Sequence, residues 1–359
     1  MTKKYLDLIK FFFNKGMPTY LVFHVTSMCD SKCRMCFNWK NLNRMAQQDE
    51  LTLDEIEKTS KSFNKLFYVS IGGGEPFMRR DISDIVYVFY KNNNTRMFQI
   101  ATNCLQSLHT AEQVELILKK CKGAILKITL SLDGIGEDHD YVRGVKGNFE
   151  KFLKTYELLN ALKTKYEHLE IQVTTVYSKY TEEKAQDIYE WVKKNLNVDI
   201  HNFSYVRGET KEENAKDVSV KKYEKLIEYI EDEYRKRNFK RGLFKKLFTV
   251  FSMLTRRHVI RELKGRSRQF RCLGGRRLLQ LGAYGEVFPC EYLPEKQLGN
   301  LRDYDYDITK ILKSEKTKAA LKFISDKKCS CTWECAIKQD IVYDCRTWPI
   351  VVREMLRLR

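Results

Sequence analysis

Proline and glycine are both sparse, 5 and 17 in 359 residues, which excludes a collagen-like chain or one dominated by flexible linkers. No stretch comes near the roughly 20 consecutive apolar residues that a membrane-spanning helix needs. The apolar run nearest the start, Phe11-Phe12-Phe13, is cut by Asn14 and Lys15, too short for the hydrophobic region of a secretory signal. A cytoplasmic protein is therefore expected. Acidic residues are nearly missing from one segment. Residues 235–271 hold 14 Lys and Arg against the single acid Glu262, a local charge of +13 out of a total of +18. The rest of the chain is only mildly basic, unlike a fold coated in charge for nucleic acid.

What is present narrows the choice further. Apolar residues make up 43% and aromatics 12%, so the chain is not disordered. Its length allows one large α/β domain plus a small one, with a core that needs no covalent staples. The 11 cysteines in a reducing compartment point to metal or cluster ligation rather than disulfides. Cys121, in a helical pattern, reads as an ordinary core residue.

Within the basic segment, Leu243, Phe244, Leu247, Phe248, Phe251 and Leu254 recur every three to four residues, with Lys240, Arg241, Lys245 and Lys246 between or before them. This is an amphipathic helix with a basic face. The plain expectation is a helix packed on the core with its charges in water. The alternatives are an anionic membrane surface, an anionic substrate or partner, and nucleic acid. The aromatic, basic stretch from Lys3 to Lys15 would add to a membrane-facing surface.

The first two hundred residues alternate between β-like runs, at 20–26, 66–72, 97–101, 125–132, 169–177 and 198–206, and helical patterns at about 81–94, 110–121, 148–165, 181–195 and 218–237. A further helix opens at Thr52 with a capping box to Glu55. Six β-α repeats predict a parallel sheet or partial barrel with helices outside, and ligand chemistry at the carboxyl ends of the strands. After residue 272 the elements shorten and the cysteines crowd.

Directly after the first strand stand Cys29, Cys33 and Cys36. Zinc sites usually offer four ligands in paired knuckles, and no fourth cysteine lies nearby. Three thiolates suit a 4Fe–4S cluster with one iron left open. His24 could be a fourth ligand, but mid-strand it reads as a packed residue.

With this loop the chain resembles the radical S-adenosylmethionine (radical SAM) superfamily, whose hallmark is CxxxCxxC after strand one of a partial (β/α)6 barrel. The fold class implied is α/β: that partial barrel with a small C-terminal cysteine-rich cluster-binding domain. Gly73-Gly74-Glu75-Pro76 matches the family's GGEP motif, which meets the SAM amino group. Thr102-Asn103-Cys104 stands where TNG is common, with Cys104 in place of the glycine. Ser131-Leu132-Asp133-Gly134 and His139-Asp140-Tyr141-Val142-Arg143-Gly144 match the fourth-strand motif, and Ser131 and Arg143 are implied to hold the SAM carboxylate. Met35 replaces the usual aromatic before the third cysteine, with Phe37 just after, and either could cover adenine. The match spans about 18–210.

Downstream, Cys272, twelve residues, Gly285, four residues and Cys290 resemble the first half of the SPASM/twitch extension of these enzymes. The stretch Tyr284 to Cys290 reads as a β-hairpin, and Leu298-Gly299-Asn300-Leu301 also fits. The second half departs: Cys329, Cys331, Cys335 and Cys345 leave the set one short of the usual seven. The resemblance implies one auxiliary 4Fe–4S cluster held by Cys272, Cys290, Cys331 and Cys335, with Cys329 and Cys345 open as alternatives. A zinc site or free thiols is the competing reading. The resulting organisation is an N-terminal helix (1–17), the barrel (18–210), a basic helical segment (211–271) and the SPASM/twitch-like domain (272–359).

The resemblance implies reductive cleavage of SAM to a 5′-deoxyadenosyl radical that takes hydrogen from a substrate. It implies an external one-electron donor of flavodoxin or ferredoxin type. Peptide or protein modification of maturase kind is the leading expectation, and a small-molecule, sugar or lipid-linked substrate the alternative. An Fe–S electron carrier and a zinc-ribbon nucleic-acid-binding protein are the readings from other classes. His201, Asn202 and Tyr205 are possible cavity residues, more often structural ones.

Overall fold

The computed structural model describes residues 17–43, 49–236, 243–266, 270–326, 329 and 331–358. Six strands alternate with helices as the periodicity predicts: β1 (Tyr20–Thr26), β2 (Tyr68–Gly73), β3 (Met97–Thr102), β4 (Ile125–Ser131), β5 (Leu169–Tyr177) and β6 (Ile200–Tyr205). They pair in parallel and in chain order, with Tyr20 beside Tyr68, Tyr68 beside Met97 and Met97 beside Ile125. Parallel pairs need crossovers. These are α1 (Leu53–Ser62), α2 (Ile82–Asn93), α3 (Ser107–Lys120), α4 (Glu137–Arg143), α5 (Asn148–Lys165) and α6 (Ala185–Asn195). α1 opens on the expected capping box: Thr52 Oγ1 accepts from the Glu55 amide at 3.3 Å, and the Glu55 carboxylate accepts from the Thr52 amide at 2.8 Å.

Strand residues alternate as the pleat requires. Leu21, Phe23, Val25, Val69, Phe98 and Ile100 join the core under the helices. Their neighbours Tyr20, Val22, His24, Ser70, Gln99, Lys127, Gln172 and Asn202 turn inward onto a cavity. His201 belongs to the other face, stacked 5.7 Å from Tyr189 and within 2.9 Å of Thr175 Oγ1. Tyr205 stacks on Tyr177 at 6.1 Å. Of the three residues named near the sixth strand, Asn202 is the one on the cavity wall.

One edge of the sheet is β6. At the other, β7 (Leu278–Leu281) pairs in parallel with β1, and β8 (Glu286–Phe288) and β9 (Gly299–Asn300) follow antiparallel. The expected hairpin before Cys290 is present, and the cysteine-rich region shares the barrel's sheet. The basic segment before β7 forms α7 (Val220–Lys236) and α8 (Leu243–Leu263), and after β9 come α9 (Ile308–Lys313), α10 (Glu315–Ser325), α11 (Glu334–Tyr343) and α12 (Trp348–Arg357). α11 bridges the two ends of the open barrel. Its Glu334 accepts from Ser204 Oγ on β6 at 2.9 Å, and Tyr343 OH meets Thr19 Oγ1, just before β1, at 2.6 Å.

α8 packs inside the molecule. Val250, Met253 and Val259 are buried, and Leu247, Phe248 and Phe251 face the cavity. Arg257 on α8 pairs with Glu231 at 2.5 Å and Glu354 at 3.3 Å, Lys246 donates to the Leu358 carbonyl at 2.9 Å, and Lys264, just after the helix, pairs with Glu224 at 2.5 Å. Of the apolar stripe that could have met a membrane, Leu247, Phe248, Phe251 and Leu254 therefore meet the protein. Lys240, Arg241 and the Lys3–Lys15 stretch lie outside the described residues. Among the described residues, no helix is long and apolar enough to cross a membrane.

Candidate active site at the open barrel mouth

Cys29, Cys33 and Cys36 sit on the loop that leaves β1, and all three line the cavity. Backbone pairing holds this loop from two sides. Lys32 and Arg34 amides donate to the Arg143 and Val142 carbonyls at 3.1 Å each, while Lys211 and Glu212 amides donate to the Cys36 and Arg34 carbonyls at 3.0 and 2.9 Å. Asn43 closes it by accepting from the Cys29 amide and donating to the Cys29 carbonyl, both at 3.0 Å. Burial pushes the Cys29 thiol up to about 12 and the Cys36 thiol up to about 11. Such thiols become thiolates only beside a strong positive partner. Three sulfurs on one cavity wall are a soft donor set, which fits iron–sulfur ligation and not an oxygen-loving ion.

The end of β2 approaches this loop closely. Gly73 lies at φ +114°, and a side-chain carbon on Gly74 would stand 2.0 Å from the Met28 carbonyl oxygen. Gly74→Ala is expected to cost about 3 kcal/mol or more, because neither backbone can yield. Chemical denaturation measures it, and loss of iron from the displaced Cys29 loop should accompany it.

Glu75 is 2% exposed. Its carboxylate accepts from the Asn103 amide at 2.6 Å and the Phe77 amide at 3.2 Å. Burial still pushes its pKa up to about 7. An acid raised above its unfolded value of about 4.3 stabilises the fold fully while protonated. That contribution falls as pH rises from ~4 to ~7 and stays lost above. Unfolding of the ligand-free protein at pH ~5 and pH ~8 should show the fall, and Glu75→Gln should remove it. A bound ammonium group beside Glu75 would oppose the same loss.

Arg143, at the end of α4, is buried beside the Cys29 loop. Its Nε pairs with Asp133 at 2.7 Å and its Nη1 lies 3.4 Å from Cys33 Sγ. Burial works against its charge, but Asp133 together with Cys33 and Cys104 outweighs it, so its pKa is raised. Asp133 in turn accepts from the Val176 amide at 2.7 Å. Ser131 faces the cavity close by. Cys104 keeps the glycine conformation of the motif it departs from, at φ +69°, with its buried carbonyl accepting from Thr155 Oγ1 at 3.0 Å. Phe37 lines the cavity, whereas Met35 is buried with Val142 and Val206.

Of the downstream cysteines, Cys335 lines the same cavity. Cys290 is buried in one apolar cluster with Cys272, Cys329 and Cys335. Cys331 and Cys335 share a second with Trp333 and Phe37. Cys290 lies within electrostatic reach of Cys331 and Cys272, and Cys335 of Cys331 and Cys290. The four cysteines expected as one set are thus together, with Cys329 beside them. Cys345 is exposed at the start of α12's leading turn. Phe37 meets Trp333 edge-on at 5.6 Å, joining the two cysteine loops directly.

Sequence reasoning missed the polar interior between these loops. The cavity holds about 750 Å³. His24 faces it rather than packing away, bonded to Glu291 at 3.0 Å and Gln280 at 3.2 Å. Burial alone would raise Glu291, but His24 and Arg207 hold it below the usual range. Arg207 lies 4.8 Å over the Trp333 ring. Lys127 pairs with Glu170 at 3.2 Å, and burial pushes the Lys338 amine down to about 8. A signal existed: Gln99, Lys127 and Gln172 are polar residues at inward positions of otherwise apolar strands.

Residues 23–192 match the family model of the radical SAM superfamily, and 272–336 that of the SPASM iron–sulfur cluster-binding domain. The chain is 27% identical over 304 residues to the AdoMet-dependent heme synthase of Methanosarcina barkeri, covering 80% of this chain and 81% of that one. It is 26% identical over 310 residues to the antilisterial bacteriocin subtilosin biosynthesis protein AlbA of Bacillus subtilis, 81% of this chain and 59% of that longer one. Its fold superposes on Streptococcus suis SuiB bound to precursor peptide SuiA with a TM-score of 0.61 at 18% identity, covering 89% and 70% of the two chains.

Proposed function

The chain is a radical SAM enzyme with a SPASM domain behind its barrel, and from that premise we propose that it modifies a peptide or protein. The radical SAM domain binds a 4Fe–4S cluster and SAM, and the SPASM domain binds auxiliary iron–sulfur. We assign the first cluster to Cys29, Cys33 and Cys36. Glu75 would take the SAM ammonium, with Gly73 and Gly74 giving the backbone access, and Arg143 and Ser131 the carboxylate. Cys272, Cys290, Cys331 and Cys335 would hold one auxiliary 4Fe–4S cluster. We take 18–210 as the barrel unit, 211–271 as the helical bridge and 272–359 as the cluster-bearing extension. When bound, these groups supply one-electron cleavage of SAM and a carbon radical that takes a hydrogen atom from substrate.

The residues' own work is positioning and exclusion. Asp133 orients Arg143, and the buried Glu75 waits for a cation. Phe37, Phe248 and Phe251 supply apolar patches on the cavity wall that would help displace water around a bound substrate. The observation carrying the reading is the cavity itself. It is walled on one side by the Cys29 loop and on the other by Cys335, and its size suits one or two residues of a peptide. The peptide-linked names of AlbA and SuiB support the same substrate class. An electron donor of flavodoxin or ferredoxin type would serve the first cluster. A peripheral membrane site is not part of this reading, because Leu247, Phe248 and Phe251 of α8 face the cavity.

The heme synthase likeness supports a second reading, a compact small-molecule substrate. Reconstituted enzyme with SAM and dithionite, offered a deuterated peptide pool, should place deuterium in 5′-deoxyadenosine and change a peptide's mass. Deuterium arriving only from a small-molecule pool would replace the first reading with the second.

A further inference from the structure

The middle of the cavity carries an excess of positive charge. Lys338 lies one turn along α11 from Glu334, with its side chain on the cavity wall. It makes no hydrogen bond or ion pair among the described residues; Glu334 and Cys335 act on it only through the field, and Glu334 is bonded to Ser204 instead. Arg256, 3% exposed, reaches Asn202 at 3.2 Å, while its Nε and Nη2 find no acceptor among the described residues. Lys127, 4% exposed, pairs with Glu170 at 3.2 Å and sits 4.4 Å over the Phe248 ring. Lys127 and Arg256 both repel the charge on Lys338. Among the charged side chains that line the cavity, Lys127, Arg143, Arg207 and Lys338 outnumber Glu75, Glu291 and Glu334. An ammonium that faces a cavity with no counter-ion bonded to it is a ready seat for an anion.

We infer that the substrate carries a carboxylate that docks on the Lys338 ammonium, a specificity contact that rests on the enzyme reading above. One negative charge balances the set, whereas a phosphate dianion would overshoot it. The surrounding Phe248, Phe251 and Val351 suit the carbon skeleton of an organic acid or an acidic side chain. Anion binding would also relieve the burial that now pushes the Lys338 amine down.

The test needs no turnover. Wild-type holoenzyme is treated with limiting acetic anhydride, and acetylation of Lys338 and of the exposed Lys65 is followed by mass spectrometry with butyrate, inorganic phosphate or neither. Butyrate at several times its dissociation constant should slow Lys338 acetylation about fivefold and leave Lys65 unchanged. Butyrate should also raise the thermal midpoint of the wild type and of Lys338→Arg, but not of Lys338→Met. An equal Lys338 rate with and without butyrate overturns the proposal. So does a Lys338 that never reacts while Lys65 does, or protection by phosphate alone. Deoxyadenosine formation in the same preparation reports separately on the radical SAM reading.

Discussion

Arg143→Met is expected to lower the unfolding free energy by about 3–5 kcal/mol, because it strands the fully buried Asp133 carboxylate without its partner 2.7 Å away. SAM affinity should fall about a hundredfold or more, since the fork assigned to the SAM carboxylate is gone. These two losses have different causes, and a second substitution separates them. In Arg143→Met/Asp133→Asn the buried charge is removed as well, while the introduced carboxamide oxygen can still accept from the Val176 amide that now donates to Asp133 at 2.7 Å. The double variant should recover most of the stability and none of the SAM affinity. Denaturant titration and equilibrium dialysis of SAM read the two effects independently. If SAM affinity returned with stability, Arg143 would be a structural residue only.

The second large effect concerns iron. Alanine at Cys290, Cys331 or Cys335 should take the reconstituted protein from roughly eight irons per chain to roughly four. Cys345→Ala should leave the count unchanged, because Cys345 is exposed on a turn and joins neither of the apolar clusters that hold the other downstream cysteines. Iron and sulfide analysis with Mössbauer spectroscopy measures this. Loss of iron from Cys345→Ala would move the auxiliary site to a different ligand set.

The elements and the main motifs were legible because each rests on a local rule. β1 and β5 run over the residues that alternation marks, and α5 over those with helical period. The Cys29, Gly73, Thr102 and Ser131 motifs converge because each follows a parallel strand, and parallel strands end on one face. What the chain does at long range was not legible. Leu278–Leu281 reads as a short apolar run, and nothing local says that it pairs with β1. The basic charge of 235–271 looked solvent-facing, since its partners Glu231 and Glu354 lie on two other helices. Lys338 was equally hidden: its helix has apolar residues on more than one side, so no sequence period marks the face that meets the cavity. His24 read as packed for the same reason, its partners Glu291 and Gln280 being more than 250 positions away.

A SAM-cleaving cluster on Cys29, Cys33 and Cys36 is the feature on which all the rest depends. Anaerobically purified and reconstituted protein, given dithionite and SAM, is assayed for 5′-deoxyadenosine by chromatography, beside the Cys29→Ala/Cys33→Ala/Cys36→Ala variant. Deoxyadenosine is expected from the wild type and none from the variant, which should keep its auxiliary iron. Deoxyadenosine at equal levels from both, or a colourless wild type that holds zinc and cleaves no SAM, would contradict that assignment.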